Sequence, residues 1–199
     1  IKWPPDYTGV SISTSFQIKE AMATLDKCRK IWHKEIGPKQ TCVYLAGGIG
    51  ATLAGAELFD KYPGHFDILV KGEGEYALSD IVEGKDLSGI DGVIYKKSGK
   101  VIENKDRGLI DDLDNMSFPM YEAFDHLPSF EAGSYDIITS RGCPYDCVFC
   151  LNKLLTKRRF RGRSPQNVVD EITRAKEIFG TKDFRIQDDN FTLDVARSE

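Results

Sequence analysis

Cys143, Cys147 and Cys150 stand in the segment CPYDCVFC, a C-x3-C-x2-C spacing. Thiolates at such short intervals, in a stretch that also holds Gly142 and Pro144, suit soft metals. Three thiolates can hold three irons of a [4Fe-4S] cubane and leave the fourth iron open to a small chelating ligand. A structural zinc site takes four protein ligands, usually as paired C-x2-C units, and the fourth would have to come from Cys28, Cys42, His33, His65 or His126. A ferredoxin-type carrier also takes four cysteines per cluster. The count of three therefore favours a cluster with an open iron.

The elements around the cysteines read as βα units. Tyr135 to Ser140 is β-prone, and Arg141 to Arg163 is a long loop that carries the cluster. Ser164 is a good N-cap and Pro165 suits the first helical position. The helix then runs to Phe179, with Val168, Val169, Ile172, Ala175 and Phe179 on its apolar side, and Gly180 as a left-handed stop. Phe184 to Gln187 is the next strand, leading into Asp188-Asp189-Asn190.

Upstream the same rhythm recurs. Gly9 to Thr14 is β-prone; Ile18 to Ile36 is an amphipathic helix that Gly37-Pro38 ends; Thr41 to Ala46 reads as a strand covered on both faces. Ala51 to Tyr62 and Tyr76 to Val82 are predicted helices around a strand at Phe66 to Val70. This alternation predicts an α/β fold with a doubly wound parallel sheet. Gly92 to Lys97 and Lys100 to Glu103 read as a hairpin about Ser98-Gly99. Roughly 104–130 reads as an irregular acidic linker, its Asp111, Asp112 and Asp114 solvated.

The segment SRGCPYDCVFC (Ser140 to Cys150) resembles the opening of a radical S-adenosylmethionine (SAM) domain. FRGRSPQNVVDEI (Phe160 to Ile172), DDNFT (Asp188 to Thr192), GEGE (Gly72 to Glu75) and Asp112-Leu113-Asp114 resemble the subgroup with a cobalamin-binding domain ahead of the radical SAM domain. The resemblance covers most of the chain. It implies a partial, flavodoxin-like, cobalamin-binding type of sheet over 1–90, a hairpin and linker over 91–130, and the first βα units of a partial (β/α) radical SAM barrel over 131–199. It implies a [4Fe-4S] cluster on Cys143, Cys147 and Cys150, SAM on its open iron, and Phe149 beside the SAM adenine. Reductive cleavage of SAM would give a 5′-deoxyadenosyl radical, serving cobalamin-linked methyl transfer or an anaerobic cyclisation of a small-molecule substrate. A reduced flavodoxin or ferredoxin would supply the electron.

Further residues are candidates with bland alternatives beside them. For cobalamin, Ser11, Thr14, Gly47 and Gly48 stand where the family lines its pocket, whereas the family's Asp-x-His-x-x-Gly segment is not in this sequence and would lie ahead of Ile1. Gly48-Ile49-Gly50 also reads as a partial dinucleotide fingerprint with Leu53 at its third glycine, or as a tight βα turn. Arg161 and Arg163, in a basic run from Lys153, could meet phosphate or nucleic acid, the SAM carboxylate and cluster, a substrate anion, or water. Asp188 and Asp189 occupy the region where many radical SAM proteins hold SAM's amino group; strand-end capping is the alternative.

Bulk properties narrow the classes. A net charge of -4 argues against a nucleic-acid binder. No stretch reaches the roughly 18 apolar residues of a membrane span. Five cysteines, three of them clustered, suit a reducing cytoplasmic compartment rather than a disulfide scaffold. The βα count falls short of a whole barrel, so both ends read as incomplete and the piece alone is expected to be inactive. A non-catalytic cobalamin- or metal-binding module and a tRNA-modifying radical SAM enzyme are the alternatives.

Overall fold

In the computed structural model, residues 5–13, 17–36, 42–124 and 133–199 are described. They fall into two units, Ile1–Leu109 and Ile110–Glu199. Residues 125–130 of the stretch read as linker, His126 among them, and Gly37-Pro38, read as the end of the first helix, lie outside the described residues.

The first unit is built on strands β1 (Tyr7–Ser11), β2 (Val43–Gly47), β3 (Ile68–Val70), β4 (Val93–Lys97) and β5 (Lys100–Glu103), in that order across one sheet. β1, β2 and β3 are parallel, as the βα alternation predicts. β4 and β5 are antiparallel to their neighbours, so the sheet is mixed rather than wholly parallel. The hairpin read as standing between domains is therefore part of this sheet. Its reason is burial: Ile94 enters one apolar layer while Val93 and Tyr95 enter the other.

Helices cover both faces. α1 (Ile18–Ile36), α2 (Ile49–Ala54) and α3 (Glu57–Lys61) pack Leu25, Ala51, Leu58 and Phe59 against Tyr44, Ala46 and Leu69. α4 (Glu75–Val82) packs Ala77 and Ile81 against Leu45, Ile68 and Val70 on the other face. Successive β2 residues thus alternate between the two layers, which is why its sequence is apolar throughout. The apolar stripe of α1 runs out at Ile31, which is exposed. The helix predicted over Ala51 to Tyr62 is two helices, because Gly55 takes a φ of +55 and breaks the ladder between them.

The second unit is one βαβ unit with additions. β6 (Ser134–Ile137) pairs in parallel with β9 (Asp183–Ile186). Three short elements precede the crossover helix: β7 (Ser140–Arg141), α5 (Asn152–Thr156) and β8 (Arg161–Gly162). β7 and β8 pair antiparallel, so the long loop has a closed base rather than running irregularly from Arg141 to Arg163. The crossover, α6 (Pro165–Phe179), has the span and caps that the sequence predicts. The Ser164 hydroxyl accepts the Asn167 amide at 3.2 Å, and Gly180 has a φ of +65. Ala175, Ile172 and Phe179 pack on Tyr135, Ile137 and Phe184, whereas Val169 is exposed and not on the buried side. A final turn, α7 (Val195–Ser198), follows β9. Ile110 and Leu113 are buried in this unit, and the Asp114 carboxylate accepts the Ser164 amide at 2.9 Å. Asp114 therefore caps α6 rather than standing free in water. Among the described residues no helix is long and apolar enough to cross a membrane.

Candidate metal centre and its surroundings

The cysteine loop leaves the carboxyl end of β6, beyond the Thr139–Ser140 step. All three cysteines are free thiols, Cys143 and Cys150 half-buried and Cys147 exposed. The Cys150 amide donates to the Cys147 carbonyl at 3.1 Å and turns the loop between them. Among the described residues no three His, Cys, Asp or Glu side chains are gathered as around a single ion. Thiolates on different irons of a cubane stand farther apart than ligands of one ion, and three free thiols on one loop are a donor set that fits an iron–sulfur cluster. Phe149 is 86% exposed and Val148 94%, so the loop presents its apolar tip outward, with the Phe149 ring available for stacking.

The base of the loop is tightly specified. Gly142 has a φ of +88, and a Cβ there would overlap the Arg159 carbonyl oxygen and stand 3.0 Å from its carbon. Only glycine fits. From the end of β9, the Asp188 carboxylate accepts the Thr139 amide, the Thr139 hydroxyl and the Ser140 hydroxyl, each at 2.6 Å. Asp189 accepts the Gly142 amide at 3.0 Å. Arg197 completes the set: its guanidinium lies 3.7 Å from Asp188, donates to the Thr139 carbonyl at 3.3 Å, and sits over the Phe160 and Phe191 rings. The structure thus brings Asp188 and Asp189 together with the cysteine loop, as strand-end acceptors. Arg197, Thr139 and Gly142 were not singled out by sequence. A glycine directly before the first cysteine was the available signal for one of them.

The basic run is dispersed among internal partners. Lys153 pairs with Asp146 at 2.7 Å, inside the cysteine loop, and Arg159 pairs with Asp111 at 2.6 Å. Arg161 is buried and donates to the Ile110 carbonyl at 2.6 Å. Arg163 ion-pairs with buried Glu171 and donates to Asn167 at 2.6 Å and to the Ile138 carbonyl at 2.9 Å. Glu171 also accepts the Tyr135 phenol at 2.9 Å. Burial pushes that phenol above its ordinary value, and the adjoining carboxylate pushes the same way. Arg163, Glu171 and Arg141 line a cavity of about 170 Å³ together with Phe118, Ile138 and Gln187.

In the first unit, Ser11 and Gly47 are paired neighbours at the carboxyl edge of the parallel strands, where open α/β sheets bind ligands. Thr14 lies outside the described residues. Gly48 and Gly50 answer to the protein's own backbone. A Cβ on Gly48 (φ +88) would stand 2.8 Å from both the Ile12 carbonyl oxygen and the Ser11 hydroxyl. A Cβ on Gly50 would stand 2.5 Å from Ile12 Cγ2, and the Gly50 amide donates to the Ile12 carbonyl at 2.7 Å. These two glycines let α2 close onto the end of β1, the tight βα turn that was one of the readings. Thr52 ties the next loop to this edge, donating to the Gly48 carbonyl and accepting the Gly72 amide, both at 2.9 Å. His33, in the last turn of α1, and His65, at the entry to β3, belong to the opposite, amino edge.

No protein-family model matches the chain. It is similar to an uncharacterized methyltransferase of Pyrococcus horikoshii, 32% identical over 204 residues that cover 99% of this chain and 42% of that protein. It is also similar to the anaerobic magnesium-protoporphyrin IX monomethyl ester cyclase of Synechocystis, 27% identical over 178 residues, 85% of this chain and 34% of that one. The chain thus spans less than half the length of these relatives. Among solved structures, the radical SAM methyltransferase TsrM of Kitasatospora setae superposes with a TM-score of 0.71 at 20% identity, over 99% of this chain and 39% of that one. That enzyme has been solved with tryptophan and a SAM analog, and with cobalamin and a [4Fe-4S] cluster.

Proposed function

The chain belongs to the radical SAM superfamily, in the subgroup with an N-terminal cobalamin-binding domain, and on that premise we propose that the whole protein is a radical SAM enzyme. In this reading Cys143, Cys147 and Cys150 hold a [4Fe-4S] cluster, SAM occupies the open iron, and Phe149 stacks on the adenine. A cluster of this type supplies the electron that cleaves SAM reductively to methionine and a 5′-deoxyadenosyl radical. The observation that carries the reading is the donor set: three free thiols, and only three, on one loop anchored at the carboxyl end of a parallel strand.

This chain's residues do the positioning. Gly142, Asp188 and Asp189 fix where the loop begins; Asp146 holds Lys153 and Arg158 against the loop. We read β6, α6 and β9 as the opening βα unit of a (β/α) barrel, whose carboxyl strand ends face the reaction. A corrinoid would lie along the carboxyl edge at Ser11 and Gly47; its cobalt would receive neither His33 nor His65, which belong to the amino edge. Methyl transfer to a small molecule is the first reading, in a reducing cytoplasm with a flavodoxin- or ferredoxin-type electron donor. Anaerobic cyclisation is the second, favoured by the likeness to the cyclase. A nucleic-acid substrate is disfavoured, since Lys153, Arg159 and Arg163 of the basic run are paired with Asp146, Asp111 and Glu171.

Anaerobic reconstitution of the whole protein tests this. About four irons per chain, and an EPR spectrum of the reduced protein that shifts on adding SAM, are expected. Zinc in place of iron, or a cluster indifferent to SAM, would overturn it.

A further inference from the structure

The Asp188 side chain is completely buried. Its Oδ1 takes the Thr139 amide and its Oδ2 takes both the Thr139 and Ser140 hydroxyls, all at 2.6 Å. Thr139 and Ser140 are themselves 1% and 2% exposed. A carboxylate so engaged, with the Arg197 guanidinium behind it, has no surface left for a solute. Asp189 is exposed, yet its Oδ2 takes the amide of Gly142, the residue directly before Cys143. Four donors from residues 139–142 therefore end on two adjacent carboxylates of another strand. The last main-chain bond between those strands, from the Gln187 amide to the Ile137 carbonyl at 2.9 Å, lies just before this point. The carboxylates carry the pairing onward after the ladder has stopped.

We propose that Asp188 and Asp189 are positioning residues that preset Cys143, an inference that rests on assigning the cluster to the three cysteines. The β7–β8 pair and the Gly142–Arg159 contact hold the loop's base from the other side. The three ligands are thereby unequal. Cys143 follows directly on an anchored backbone, whereas Cys147 is exposed and lies farther along the loop. One ligand is fixed in advance and the others close onto it. The side chains that fix it act on the start of the loop, and buried Asp188 leaves no surface for SAM's amino group.

The test uses the whole protein with Asp188→Ala, Asp188→Asn, Asp189→Ala and Asp189→Asn. Asp189 is exposed, so its variants keep the fold even where Asp188→Ala does not. Hydrogen exchange of the amides at 139–142 is measured on the metal-free protein. Iron content and the EPR response to SAM follow after reconstitution. Both Ala variants are expected to speed exchange by roughly tenfold at the freed amide, Thr139 for one and Gly142 for the other, and to retain less than about half the iron. The Asn variants, whose side-chain oxygen still accepts the amide, are expected to restore both. Unchanged exchange and iron in the Ala variants would overturn the proposal. So would full iron with the SAM-induced spectral shift lost, which would make the carboxylates SAM ligands. A wild-type protein that assembles no cluster, yet whose 139–142 amides exchange faster in the Ala variants, would refute the cluster assignment and leave the clamp standing.

Discussion

Gly142→Ala is the sharpest perturbation of the cysteine loop. Its φ of +88 costs an L side chain about 1–2 kcal/mol. The added methyl would also overlap the Arg159 carbonyl oxygen and stand 3.1 Å from Thr156 Cβ. A backbone oxygen cannot rotate away, so one leg of the loop must move; overpacking of this kind costs about 1–3 kcal/mol. The sum is roughly 2–5 kcal/mol, from these two terms together. Gly180→Ala is the control. Gly180 has a φ of +65, but nothing lies within 4 Å of its Cβ position, so only the conformational cost of about 1–2 kcal/mol applies. Urea unfolding of both variants, with iron content after reconstitution, separates the two costs. Gly142→Ala should be the less stable by about 1–3 kcal/mol and should lose iron, while Gly180→Ala keeps it. Equal stabilities, or full iron in Gly142→Ala, would refute the claim that the loop's base is sterically fixed.

Other outcomes follow from the same unit. Glu171→Ala leaves Arg163 and the Tyr135 hydroxyl without their shared acceptor; a loss of roughly 3 kcal/mol is expected by urea unfolding, at the low end for a broken buried pair because Arg163 keeps Asn167 and Ile138. Tyr135→Phe should cost only about 1 kcal/mol near neutral pH. It should also flatten an alkaline slope. The folded phenol is held neutral by burial and by Glu171, while the unfolded one ionises near its ordinary pKa of about 10. Folded protein then binds more protons, so stability falls as pH rises above about 10, by up to about 1.4 kcal/mol per unit. Unfolding curves of wild type and variant that stay parallel through this range would contradict that account. Ser164→Ala removes the N-cap of α6 and should lower stability by about 1 kcal/mol, read by thermal unfolding.

The elements legible in the sequence are those whose signals are local. α6 was legible at both ends because an apolar period of three and four residues, a cap and a glycine stop all lie within one segment, and α1 was legible by its apolar period. The cysteines were legible for the same reason. Contacts made across the chain were not. That β4 joins β3 depends on two apolar layers both needing its side chains, which the hairpin's own sequence does not show. Gly48 and Gly50 looked equally suited to a ligand or to self-packing, because what a glycine admits is decided by the atoms opposite, here Ile12. The partners of Asp188 lie 48 and 49 positions away, so a strand-end acidic pair could not be told from a SAM contact. Arg197, which holds the same threonine, carries no motif at all.

The mixed sheet of the first unit has edges of opposite character. β5 is short and amphipathic in the wrong sense for pairing: Lys100 and Glu103 are exposed, and Lys96 and Lys97 extend beside it on β4. An incoming strand would have to bring its backbone against that row of charge, and lysines at an edge oppose such growth. β1, with Tyr7, Thr8, Gly9 and Val10, bears no charged side chain. Among the described residues it is paired on one side alone, with β2. The two margins of the sheet therefore differ in what they offer a further strand: charge beside β5, and an uncharged backbone edge along β1.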